Sequence, residues 1–508
     1  MVEALQASGG PVGEQLRRKV QHEKREAGKA PRGAFPLPLL PSRLPRRGRA
    51  RGRAKQRQGL APLANAVFAL LNSLVVGPGA SPCTKSPSAA QLRVHLQVQR
   101  GLHAFLRGTP EACGEEKIHD FLRSAQAYGL EAVVLPLGSR CSVPSSAATV
   151  SVYHALRGKQ PEVARQVLKP SALLLPPQER PEVLPRGFVR LAESYPDLVD
   201  AAVAGGLQEL RPAGRIMKVH GSPLTAGAFA VPKDPEEDRM ITAANPLNAL
   251  CNPKLVPRPR FAYIPRLRTV RVSNPRVRLT ISKRDARHYF HALAPGRSWR
   301  KWMAHPPLQP RGGGPRLYPL HRACPMGFCA SAGWAQAVSE EAAAAAELPT
   351  ECRLRMDDPA PPAFPIWGSI LDDFWAIEEV EPGSASTVGP GWLRRTDAAW
   401  AALGIESHKK KACDGILDGE VQGVAVHHAE HWVGVSTAKR LMLFQAAWTL
   451  VLQPVVAVKA FERLIGKFGF VHAHAVHMRA YFQDSFRWIE HHRHRKARVA
   501  PLTERAVE

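Results

Sequence analysis

Apolar residues fall in short runs separated by turn formers, and the clearest patterns lie in the second half of the chain. Residues 277–281 alternate apolar and polar with a period of two, as a half-buried strand does, and run into Ser282-Lys-Arg-Asp285. Residues 228–231 predict another strand, followed by the charged turn 232–239 and a return at Met240-Ile241. In Ile370-Leu-Asp372-Asp373-Phe374-Trp375-Ala-Ile377 two aspartates are bracketed by apolar residues, so the pattern predicts two short buried strands with the pair at the hairpin turn. Residues 420–426 read as a strand with a glycine in it. Helices are predicted over 188–202, 337–348, 391–403, 437–452, 454–468 and 473–489. Residues 60–165 alternate short apolar helical stretches with Ser, Pro and Gly breaks and carry no assignable chemistry.

Composition adds a partner class. The 508 residues are 44% hydrophobic, enough for a sizeable core and two to four domains or subdomains. Lys plus Arg number 70 against 43 Asp plus Glu, a net charge of +27, and a polyanionic partner is the economical explanation. Residues 1–58 are rich in Arg, Lys, Gly and Pro and predict a disordered basic arm; 491–508 predict a basic tail that touches nucleic acid. No run of about 20 apolar residues suggests a membrane span, and the N-terminus lacks the layout of a secretory signal. Eight scattered cysteines without a CxxC pair indicate neither a zinc site nor a disulfide framework. The expected setting is intracellular and reducing, nucleus or cytoplasm. His427, His428 and His431, and His472, His474 and His477, lack the acidic or Cys partners of a zinc site, so ligation is not expected there.

Candidate chemistry begins at Asp372-Asp373. Two carboxylates at a strand tip cannot comfortably ionise together without a cation, so the pair asks for a metal, although an Asp-Asp hairpin turn is also a common plain feature. Asp285, at a predicted strand end, supplies a third carboxylate. Lys233 and Arg239 would stand near the tip of the 228–241 hairpin, the arginine suited to bidentate phosphate contact. Pro325-Met326-Gly327 opens a helix, and a glycine there lets backbone come close to a ligand. A rival pair, Asp357-Asp358, is followed by Pro359 inside the Pro-rich stretch 349–365 and reads as a loop.

In order and character these motifs resemble the reverse transcriptases of retrotransposons and retroviruses, over about residues 185–490. Asp285-Ala-Arg-His-Tyr-Phe290 looks like their first catalytic motif, Pro325-Met-Gly-Phe-Cys-Ala-Ser331 through Gln336 like the second, and Ile370-Leu-Asp372-Asp373 like the third. Asn245-Pro-Leu-Asn248 matches the segment after the Lys233–Arg239 hairpin. Ile370 stands where an aromatic is usual, Ala332 where Pro is common, and Tyr289 where a small residue is usual.

The resemblance implies an α+β right-hand polymerase: fingers and an antiparallel palm sheet packed on helices over 185–435, and a helical thumb over 436–490. Residues 59–184 would be a poorly defined helical and loop region between the arm and the fingers. It further implies that Asp285, Asp372 and Asp373 bind two Mg2+ ions roughly 4 Å apart, with Mn2+ as a substitute. Lys233 and Arg239 would grip the triphosphate, Phe290 would exclude a 2′-hydroxyl, and Met326, Gly327 and Gln336 would line the nucleotide. For Phe290 a plain core role stays open, as does a helix-surface role for Gln336. Lys409, Lys410 and Lys411 are candidate proton donors, and Gln422-Gly423 resembles the primer grip. The implied partners are an RNA template, a DNA or RNA primer and deoxynucleoside triphosphates. Two other readings stand beside this one: a remnant that only binds nucleic acid, and an RNA-templated RNA polymerase, against which Phe290 argues.

Overall fold

The structure, a computed structural model, describes residues 134–508 except 234–235, 311–312, 429–431, 452–454, 474–481, 496–497 and 503–508. Before residue 134 it describes only positions 65, 68, 88, 91, 92, 94, 95 and 98, so the predicted basic arm lies outside the described residues. The chain divides into two compact units, Met1–Gly114 and Glu115–Glu508. In the first, Phe68 stacks on His95 with ring centroids 4.0 Å apart, and Ser88 and Gln91 exchange side-chain-to-backbone bonds in the manner of a capping box.

The second unit mixes helices with small sheets. In chain order, α1 (Val152–Leu156) and α2 (Pro161–Leu168) precede α3 (Tyr195–Ala204) and the hairpin β1 (Gly227–Pro232) and β2 (Asp238–Ala243). Next come α4 (Asn245–Asn248), β3 (Arg278–Asp285), α5 (Tyr289–Ala292) and the long α6 (Ser331–Ala345). A second hairpin, β4 (Ile366–Ile370) and β5 (Asp373–Val380), leads to α7 (Val388–Leu403) and β6 (Cys413–Ile416). The last part holds β7 (Gly419–Val421), β8 (Val424–His427) and β9 (Trp432–Val435), then α8 (Thr437–Val451), α9 (Val458–His472) and α10 (Gln483–His494).

The four-stranded antiparallel sheet β4-β5-β3-β6 is covered on both faces. Alternate residues of a strand point to opposite faces. Trp367, Phe374 and Ala376 therefore pack with Trp334, Leu393 and Trp400 of α6 and α7, whereas Ile281, Ile366, Trp375 and Ile377 pack with Val421, Val424 and Val426. Phe374 meets Trp400 edge-on at 5.3 Å. Two charges on the helix face are fully engaged. Arg284 pairs with Asp397 at 2.6 Å and Asp414 at 2.7 Å, and the Glu378 carboxylate accepts the Val388 N–H at 3.0 Å, serving the first turn of α7.

Several expected elements move. Residues 188–193 are not helical: Val189 bridges Ala228 and Leu191 bridges Leu137, so their backbone groups are committed to strand pairing and α3 starts only at Tyr195. The close approach also demands glycine, since a Cβ on Gly187 would sit 2.1 Å from the Gly227 nitrogen. Helix α6 begins at Ser331, whose hydroxyl bonds the Pro325 carbonyl at 2.9 Å, and α7 begins at Val388. The strand expected over 420–426 is the hairpin β7–β8, because Gln422 (φ 50°) and Gly423 (φ 78°) both adopt the left-handed conformation of a two-residue turn. The third C-terminal helix runs over Gln483–His494, so the first residues of the expected basic tail are helical; Trp488 anchors it against Phe461 at 5.1 Å. No described helix is long and apolar enough to cross a membrane.

Three histidines are sealed inside: His291, His305 and His321 are all buried, with the His305 and His321 rings 4.9 Å apart. Burial pushes His291 down to about 3 and His305 to about 4, and holds His321 well below its usual value. The unfolded chain therefore takes up protons below about pH 6.5 that the folded chain refuses, and this contribution to stability is lost as pH falls from there towards 4. His305→Gln should lose less stability than wild type between pH 7.5 and pH 5 in urea titrations. An equal loss in both proteins would show that His305 protonates in the fold at no cost.

Candidate active site

The strand register sets the geometry. Asp285, the last residue of β3, is directly opposite Asp373, the first of β5, and both fall on the sheet face shared by Ile281 and Trp375, away from α6 and α7. Asp372 precedes them in the turn, where its carbonyl accepts the Ala286 N–H at 3.0 Å and so lies beside the strand that ends in Asp285. The two-residue turn is thus Leu371-Asp372, not the Asp pair itself.

That turn is braced from beneath. Leu371 has φ 54°, a conformation unfavourable for a side chain of its size. Its N–H donates to Gln336 Oε1 at 2.8 Å and its carbonyl accepts the Ser339 hydroxyl. Gln336 Nε2 reaches Ser369 Oγ at 3.3 Å on β4. Gln336 is consequently buried, not on the helix surface, and its amide is committed to the hairpin rather than presented to a nucleotide. Ser339 also meets the Tyr289 hydroxyl at 2.6 Å, and Tyr289 donates to the Ala335 carbonyl at 2.9 Å. Tyr289 and Ser339 were missed in the sequence; Ser339 could have been found one helical turn after Gln336.

Electrostatically the three carboxylates are uncompensated from within. Burial, and then the neighbouring Asp285, raise Asp372 to about 6; burial raises Asp373 to about 7 against the opposing pull of Lys283. Lys411 gives Asp285 a 2.8 Å ion pair, and the His408 N–H donates to the Asp285 carbonyl at 2.7 Å, anchoring the short helical turn Lys409–Lys411 on the strand end. Lys409 and Lys410 share that turn, and no ion pair between them and the aspartates is found among the described residues.

The other predicted residues surround this centre unequally. Phe290 is half-buried on α5, edge-on to Tyr289 at 6.4 Å. Lys233, beyond the end of β1, pairs with Glu237 at 2.5 Å, and Arg239 lies inside β2, close enough to Asp372 to favour its ionised form. Gly327 (φ 112°) must be glycine, since a Cβ would sit 2.0 Å from the Thr242 carbonyl; Thr242 N–H donates to Met326 at 2.9 Å, docking this loop on β2. Asn248 clasps the loop, donating to the Gly327 carbonyl and accepting the Cys329 N–H, both at 2.9 Å. At the Gln422-Gly423 turn, Lys439 bonds the Gly423 carbonyl at 3.2 Å and Glu420 at 2.7 Å. Lys283, two residues before Asp285, reaches the Glu420 carbonyl at 2.9 Å. The rival pair is spent elsewhere: Asp357 faces Arg260 at 4.0 Å and Asp358 faces Arg355 at 3.3 Å in a loop.

Among the described residues no three His, Cys, Asp or Glu side chains are arranged as a metal-binding group. Mg2+, however, usually takes one or two carboxylates and completes its shell with water and substrate phosphates. The donor chemistry of Asp285 and Asp372 fits that pattern: oxygen ligands, mutually repelling, with Asp372 held towards protonation. Asp373 is not needed for it.

No protein-family model and no curated protein matches the chain. Among solved structures, the foamy viral protease-reverse transcriptase dRH in complex with double-stranded DNA is similar over 71% of this chain and 54% of that one, at 13% identity and a TM-score of 0.39. The foamy viral protease-reverse transcriptase in complex with double-stranded DNA covers 74% and 62%, at 14% identity and the same TM-score. The chain thus spans 54% to 62% of the length of these proteins. A TM-score below 0.5 does not establish a shared fold, so the chemistry rests on the residues themselves.

Because Asp373 ionises harder in the fold than in the open chain, its contribution to stability is complete below about pH 4 and is lost as pH rises through 7. In chelator at pH 8, Asp373→Asn should raise stability by about 1–2 kcal/mol, the size of a one-unit shift or slightly more. The gain should shrink towards pH 4; a gain independent of pH would separate it from the carboxylate.

Proposed function

We propose that the chain is an RNA-directed DNA polymerase that adds deoxynucleotides to a primer 3′-hydroxyl on an RNA template. The observation that carries this reading is the pairing of Asp285 with the strand that follows the braced Asp372 turn, beside Lys411, Phe290 and the Arg239 hairpin. On this reading the β3–β6 sheet is the palm, the β1–β2 hairpin belongs to the fingers, and α8 to α10 are the thumb.

Asp285 and Asp372 would hold Mg2+, or Mn2+ in its place. When bound, the ions lower the pKa of the primer hydroxyl and neutralise charge on the triphosphate. Arg239 presents a planar fork to the phosphates, with Lys233 available once Glu237 releases it. Lys411, on an exposed stem, can carry a proton towards the leaving pyrophosphate, and its contact with Asp285 singles it out over Lys409 and Lys410. Phe290 lies against the sugar and leaves no room for a 2′-hydroxyl. The Met326-Gly327 backbone lines the nucleotide, while Gln336 positions the Asp372 turn. The Gln422-Gly423 hairpin, held by Lys439, supports the primer end. Asp373 is an auxiliary carboxylate. The net charge of +27 suits RNA and DNA partners.

Primer extension on an RNA template with Mg2+ tests the reading. Asp372→Asn should lower the rate at least about 100-fold, or about 2.7 kcal/mol of transition-state stabilisation. Extension that survives this change would sink the mechanism, and tight template binding without any extension would favour a role in binding alone. Phe290→Ala should admit ribonucleotides while deoxynucleotide addition persists; unchanged sugar discrimination would remove Phe290 from the gate.

A further inference from the structure

Cys251 and Cys329 lie 78 positions apart in sequence but face each other beside the Gly327 loop. Asn248 brings them together: its backbone carbonyl accepts the Cys251 N–H at 3.1 Å and its side-chain oxygen accepts the Cys329 N–H at 2.9 Å. The two sulfurs are in hydrogen-bond contact. Cys251 is buried in the core and Cys329 is half-buried. We infer that Cys251 and Cys329 form a reversible disulfide site at which a peroxide fastens the Met326-Gly327 loop to the turn after α4.

The chemistry assigns a role to each sulfur. The hydrogen bond from Cys251 pulls Cys329 towards the thiolate, and the same bond together with burial keeps the proton on Cys251. By contrast, burial pushes the thiols of Cys141, Cys324, Cys352 and Cys413 up, away from reactivity. The Cys329 thiolate attacks one peroxide oxygen, breaking the O–O bond; it becomes a sulfenic acid and, with one proton, the other oxygen leaves as water. Cys251 then attacks the Cys329 sulfur, the S–S bond forms, the S–O bond breaks, and the hydroxyl leaves as a second water with the Cys251 proton. Two thiols and hydrogen peroxide give one disulfide and two waters. A thiol reductant reverses the change, as expected of a bridge made transiently in a reducing compartment.

The consequence is mechanical. The loop already rests on β2 through Thr242 and on α4 through Asn248, and a covalent tie at Cys329 would remove what freedom remains. The test is to treat the full, reduced chain with hydrogen peroxide and map its peptides by mass spectrometry without reduction. The expected product is a Cys251–Cys329 linked pair, 2 Da lighter, returned to free thiols by dithiothreitol. Cys251→Ser should instead accumulate a Cys329 sulfenic acid that a cyclic dione traps, and Cys251→Ala repeats the test with a different side chain. Peroxide should raise the melting temperature of wild type and leave both variants unmoved. A Cys329 that alkylates freely but never links to Cys251, or that links no faster than the other cysteines pair at random, would overturn the inference. Because none of these readouts involves DNA synthesis, it stands or falls apart from the polymerase reading.

Discussion

The site depends on one short turn being held in an unfavourable shape. A two-residue hairpin needs left-handed backbone, and here that conformation falls on Leu371, with no glycine to ease it. Strain of this kind costs on the order of 1–3 kcal/mol and persists only where surroundings over-determine it. Gln336 and Ser339, one turn apart on α6, bind the N–H and the carbonyl of the same leucine. Both main-chain groups of the strained residue are thereby satisfied by side chains from a rigid helix. The turn cannot relax without leaving Gln336 buried and unpartnered, which would be costlier than the strain it relieves.

Helix α6 is fixed in its turn by what surrounds it. Tyr289 ties the segment after Asp285 to the same face of α6, through the Ala335 carbonyl and the Ser339 hydroxyl. Asp285 and Asp372 are therefore positioned by one helix acting on two chain segments. This also accounts for the tyrosine at a position where related motifs carry a small residue. Its phenol fills the space between α5 and α6 and supplies a hydrogen bond that a small side chain could not reach.

Much of this was legible in the sequence, for identifiable reasons. The apolar residues around Asp372-Asp373, the alternation up to Asp285 and the charged turn between two short strands at 228–241 all have local period-two signals, and they appear as β4–β5, β3 and β1–β2. What failed depended on distant partners. Residues 188–193 look helical alone, yet become extended because Ala228 and Leu137 compete for their backbone groups. Gln336 looked like a surface residue because its partner, the Leu371 amide, is 35 residues away. Lys411 stood out from its two neighbours only when folding placed it against Asp285.

The charges around the site complete the logic. His288 and His291 follow Asp285 closely, and a proton on either would add a pH-dependent cation beside the aspartates. Burial lowers both, and the Arg239 and Lys233 charges lower His291 further, while Arg287 and Lys233 act on His288. The neighbourhood is therefore left with cations whose charge does not change near neutral pH: the arginine on β2, Lys233 beside it and Lys411 on Asp285. The carboxylates, by contrast, are held near their titration points by burial and by one another. A positive surround that is constant and a negative centre that is adjustable is an arrangement in which a divalent cation, rather than a proton, best supplies the missing charge.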